Sequence, residues 1–189
     1  FAGPYEVFTT ASRVFQRDNP TRPEPFSVFT VARTAGPVKA RAGLVVQPAY
    51  TFANHPPIDV LLIAGGVVTA ELDTPEVIAW VAANSAKAVL TASICTGAFL
   101  LAEAGLLDGR SATTHWEDIP DMQARYPAVT TSADQRWVDE GNVVTSAGIS
   151  AGIDMSLHLV ERLAGRTLAL LTARQMDFDW HSKQITQEA

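Results

Sequence analysis

The chain has 189 residues, 47% of them hydrophobic and 18% charged, and a net charge of −6. That is one globular domain's worth of chain, 1–189, long enough to bury a substantial core, and an acidic chain without a Lys/Arg cluster is a poor nucleic-acid binder. A lone cysteine excludes an internal disulfide, no apolar run approaches the ~18 residues of a membrane span, and no secretory leader is visible, so no membrane partner and a cytoplasmic setting are expected.

Residues 3–15 read as a helix with Pro4 in the first turn, where a missing N–H is harmless, and with Tyr5, Phe8 and Val14 as apolar positions. The proline-rich NPTRPEP (19–25) is a loop. FSVFTVA (26–32) has the β-branched and aromatic content of a strand. Residues 36–52 suggest a hairpin-like excursion with Gly43 near its bend. IDVLLIAGG (58–66) is a continuous apolar run closed by two glycines, as expected of a strand buried on both faces of a parallel sheet.

Residues 73–87 form a helix in which Thr74 caps, Pro75 takes the first helical position and Glu76 complements the dipole. AVLTASI (88–94) is the next buried strand and residues 96–106 the next helix. Residues 110–116 continue as strand and turn, and 119–127 as a short helix. Residues 135–148 read as a hairpin around DEGN, and 150–165 as a helix stopped by Gly165. Strand and helix alternate, which predicts an α/β fold with a mostly parallel central sheet and helices on both faces.

Cys95 stands where a buried strand hands over to a helix beginning Thr96, Gly97, Ala98. A buried core cysteine is the plain alternative. The small neighbours instead suit a tight strand-to-helix turn, a nucleophile elbow that lifts the middle side chain above the sheet. The helix start favours a thiolate there, and the carboxyl edge of a parallel sheet is where α/β proteins place ligands. Gly65 and Gly66 end the preceding strand; they make either a plain turn or, with the Thr96 N–H, an oxyanion-type pocket. His115 follows a short strand and suits either a polar core role or the same sheet edge. His55, His158 and His181 show no metal-ligand spacing, and no cofactor is expected.

IAGG (63–66), SICTGAFLLAEAGLLDGRSATTHW (93–116) and VVTSAGISAGID (143–154), in that order, resemble the ThiJ/PfpI superfamily of class I glutamine amidotransferase-like domains. The CTG and ATTHW stretches place the chain nearer isonitrile hydratases and the sensor domains of AraC-type regulators than the PfpI peptidase branch. In that branch histidine directly follows the cysteine, and here Thr96 does. The resemblance implies a flavodoxin-like sandwich in which Cys95 is the nucleophile and Thr96 supplies an N–H and a hydroxyl. Gly65 and Gly66 would line an anion pocket, His115 would match the active-site histidine, and Ala147 to Ser150, with Gly148 and Ile149, would form a pocket wall.

It also implies a homodimer, a small-molecule substrate and an acidic residue four places before Pro4, just ahead of Phe1. A further N-terminal stretch of roughly ten residues, a strand's worth, is therefore expected. Glu6 lies further along the helix and does not replace that acid. The implied chemistry is a cysteine-dependent lyase reaction, hydration of an isocyanide to an N-substituted formamide. A ligand-sensing domain of an AraC-type regulator and a glyoxalase/deglycase-like or redox-responsive relative remain open beside it.

Overall fold

The computed structural model describes residues 1–180. His181 therefore lies outside the described residues. Helix α1 (Ala2–Asp18) buries Val7, Ala11 and Val14, spaced i, i+4, i+7 on one face, with Phe8 beside them. Tyr5 points outward instead, at 40% exposure.

The expected strand over 26–32 is reduced to β1 (Val31–Ala32). Ahead of it the hydroxyl of Ser12 on α1 donates to Phe26 O at 2.7 Å and accepts from Phe26 N–H at 3.1 Å, so a side chain replaces the ladder partner. Strands β2 (Val38–Lys39) and β3 (Val45–Val46) form the small antiparallel hairpin, with Gly43 in its turn at φ +92°. Strand β4 (Tyr50–Thr51) pairs in parallel with β1.

Strand β5 (Val60–Ile63) ends ahead of Gly65. A short helix α2 (Thr69–Leu72), not foreseen in the sequence, precedes α3 (Pro75–Ser85). The Thr74 hydroxyl, expected to cap α3, donates to Ala70 O on α2 at 2.7 Å. Strand β6 (Leu90–Ile94) leads through Cys95 into α4 (Gly97–Glu103), which stops short of residue 106 where the chain turns through Gly105 at φ +72°. Strands β7 (Ser111–Ala112) and β8 (Thr130–Thr131) pair in parallel and bracket a single 3-10 turn, Trp116–Asp118, and α5 (Ile119–Arg125). Strands β9 (Trp137–Asp139) and β10 (Val143–Ser146) form the expected hairpin, with Gly141 at φ +83°. Helix α6 (Ala151–Ala164) ends at Gly165, and α7 (Arg166–Gln175), which the sequence reading did not include, follows at once.

The central sheet runs β5-β6-β10-β9, the first three strands parallel and β9 antiparallel at the edge. All five positions of β6 are buried, as a strand covered on both faces requires. Leu90, Ala92, Ile94 and Val144 face one core with α1, α6 and α7. Leu61, Ile63 and Val143 face the other with α3, α4 and α5. This is the flavodoxin-like layering expected, and it brings the carboxyl ends of β5, β6 and β10 to one edge.

Candidate functional site

Cys95 is the first residue beyond β6, and its backbone is left-handed, φ +56°. For a non-glycine residue that conformation costs about 1–2 kcal/mol. It is held from both sides. The Cys95 N–H donates to Ser146 O at 3.1 Å, so β10 extends its ladder by one residue. The Cys95 carbonyl accepts from the Thr114 hydroxyl at 3.0 Å and from the Ala98 N–H at 3.2 Å. The side chain is partly buried and packs against the α1/α6/α7 core.

The elbow is close-packed against the end of β5. A Cβ at Gly97 would fall on the Ile63 carbonyl oxygen, an obstacle that belongs to the sheet backbone. Gly65 lies equally close: a Cβ there would stand 2.5 Å from Ile94 O and 2.9 Å from Thr96 N. The Gly66 N–H donates to Thr96 Oγ1, and the Thr96 hydroxyl donates to Gly66 O, both at 2.8 Å. Thr96 thus locks the glycine loop to the elbow, and the Gly66 amide faces that hydroxyl. A cleft of about 540 Å³ opens next to this lock, with Gly66, Thr96, Leu72 and Phe99 among its walls; Cys95 is not one of them.

His115 reaches the same edge. The Thr113 N–H donates to Thr145 Oγ1 on β10 at 2.9 Å, and Thr114 is bonded to Cys95, so the next residue is delivered beside the elbow. The ring is about four-fifths buried. Its Nδ1 accepts from the Glu117 N–H at 3.4 Å and lies 3.6 Å from Asp118 Oδ2 and 3.7 Å from Glu117 Oε2. Its other edge meets Gly148, where a Cβ would stand 2.5 Å from Cδ2 and 3.2 Å from Nε2, so only glycine fits. Ile149 follows, left-handed at φ +41° and 75% exposed.

The site residues named from the sequence therefore gather in one region: Cys95, Thr96, Gly65, Gly66, Gly148 and Ile149 follow the carboxyl ends of central-sheet strands, and His115, beyond β7, meets Gly148. Three supporting contacts were missed. Thr114 and Ser146 fix the Cys95 backbone, and Arg136 pairs with fully buried Asp154, its Nε donating to Oδ2 at 2.6 Å. Ser146 and Asp154 lie in the VVTSAGISAGID stretch, and Thr114 in ATTHW, but their partners are 18 to 51 residues away in sequence. The other described histidines work elsewhere. His55 bridges Pro56 O and the Trp80 indole N–H, and His158 bonds Asp139.

Comparison with known proteins bears on the family and the fold. An isonitrile hydratase from Pseudomonas putida is 32% identical over 177 residues, covering 93% of this chain and 71% of that protein. The HTH-type transcriptional regulator GbdR from Pseudomonas aeruginosa is 35% identical over 146 residues, 77% of this chain but 40% of the regulator. The crystal structure of a ThiJ/PfpI family protein from Pseudomonas syringae superposes with a TM-score of 0.80 at 31% identity, covering 94% of this chain and 69% of that one. With residues 3–162 matching the DJ-1/PfpI family as well, the chain belongs to that family.

Proposed function

We propose that the chain carries a cysteine-dependent hydratase site for isocyanides. The observation that carries the reading is Cys95 itself, a thiol on a left-handed elbow at the carboxyl edge of the sheet. Its sulfur attacks the terminal carbon of R–N≡C. An S–C bond forms, the carbon takes a proton, and a thioimidate, R–N=CH–S–Cys95, results. Water then adds to that carbon, the sulfur leaves with a proton, and R–NH–CHO is released; the sum is isocyanide plus water giving formamide. His115, with Nδ1 facing the Glu117 amide and two carboxylates, is the group assigned to proton movement in the water step. Val67, Trp116 and Ile149, each at least 70% exposed, support a homodimer formed over this edge.

The likeness to the hydratase supports the enzyme reading. One finding favours a second reading: the match to GbdR covers 40% of that regulator, as one ligand-sensing part of it would. The test is incubation with n-butyl isocyanide followed by NMR. The hydratase reading expects N-butylformamide to accumulate with enzyme concentration. Saturable ligand binding without formamide would select the sensor reading.

A further inference from the structure

The loop between β10 and α6 is strained, and one residue straps it down. Ile149 is β-branched yet left-handed, a backbone state that costs about 1–3 kcal/mol and persists only where the surroundings enforce it. Arg136, at the start of the β9 edge, supplies that enforcement at three points. Its carbonyl accepts the Ala147 N–H at 2.9 Å, before the strained residue. Its Nη2 donates to Ser150 Oγ at 3.2 Å, after it. Its Nε donates to Asp154 Oδ2 at 2.6 Å, and Nη2 also touches that oxygen. Asp154 is fully buried in the first turns of α6, so the guanidinium is anchored at a fixed point rather than draped over the surface. The carboxylate's own element is tied further, since the Trp180 indole N–H donates to Asp154 O at 3.2 Å.

Gly148 lies inside the strapped segment, and its Cα faces the Cδ2–Nε2 edge of His115, nearest to Cδ2. We propose that Arg136 is the positioning residue of this site: through Asp154 and Ser150 it presses Gly148 onto the Cδ2 side of the His115 ring and fixes the ring's orientation. Lysine cannot reproduce the strap, because a single ammonium cannot hold the planar fork between Ser150 and Asp154. The inference concerns the histidine's orientation and does not depend on which reaction the site performs.

The test therefore needs no turnover. Wild type, Arg136→Lys and Ser150→Ala are treated with diethyl pyrocarbonate, and carbethoxylation of each histidine is followed by peptide mass spectrometry. Release of the strap raises the rate at His115 at least about threefold in Arg136→Lys, as expected of local opening, and by less in Ser150→Ala, while His55 keeps its wild-type rate. A purely structural role for Arg136 lowers thermal stability without moving the His115 rate relative to His55, and that result overturns the proposal. So does a rise shared equally by His55. Should Arg136→Lys fail to fold, Ser150→Ala decides: an unchanged His115 rate overturns the inference, a selective rise supports it.

Discussion

The two ends of the central sheet are built on opposite terms. At the carboxyl edge, Cys95 and Ile149 are both left-handed, and glycine backbones press directly on the elbow and on His115. At the other end, where β9 turns into β10, the strain is gone and an ion network takes its place. There Asp139 accepts from His158 Nε2 at 2.7 Å, from the Gly141 N–H at 2.9 Å and from Arg162 Nη1 at 2.8 and 2.9 Å. Burial alone would raise the Asp139 pKa, but these donors outweigh it and hold the carboxyl below its ordinary value. One end spends stability on holding a sulfur and an imidazole in place, and the other end returns some of it.

The contrast can be broken at either end. The largest structural effect is expected at the elbow. Gly97→Ala drives a methyl into the Ile63 carbonyl, which only a shift of the sheet backbone relieves, so unfolding in urea should show a loss of about 2–3 kcal/mol. A loss near zero would mean that the elbow is not close-packed.

A smaller effect, about 1–2 kcal/mol at pH 7, is expected from Asp139→Asn, which removes the charge that His158 and Arg162 share. Its pH dependence has a definite sign. The folded carboxyl titrates below the unfolded one, so its contribution is complete above the unfolded value of about 3.9 and fades as pH falls through the folded value. Wild type and Asp139→Asn should therefore differ at pH 7 and converge in acid denaturation below about pH 4. A gap that widens on acidification contradicts the network.

The smallest effect belongs to Thr114→Val. It deletes the hydroxyl that supports the Cys95 carbonyl and should cost about 1 kcal/mol by thermal denaturation. Modification of Cys95 by iodoacetamide, followed alongside, should change in rate, because the elbow it steadies carries the sulfur.

How much of this was legible in the sequence follows from how local each feature is. The elbow was legible because strand, cysteine and helix are contiguous from Leu90 to Glu103. The hairpin before Ser146 was legible for the same reason, its DEGN turn lying between the apolar pairs Trp137–Val138 and Val143–Val144. The supports were not, since Thr114, Ser146 and Arg136 act on residues that only the fold brings near. Local signals also misled where a tertiary partner competed. FSVFTVA looks like a strand, but Ser12 takes the Phe26 backbone. Thr74 looks like a cap, but its hydroxyl turns back to Ala70. Helix α7 shows the spacing of a buried face at Leu168, Ala169, Thr172 and Ala173, yet it follows Gly165 so closely that the stop signal hides the restart.

The measurement that bears most directly on the central claim is the isocyanide hydration rate of wild type against Cys95→Ala, with formamide followed by NMR under identical conditions. If Cys95 is the nucleophile, formamide accumulates with wild type and the variant loses at least about 10³-fold in rate. A variant that keeps its rate within tenfold, or a wild type that makes no formamide with Cys95 reduced, contradicts it.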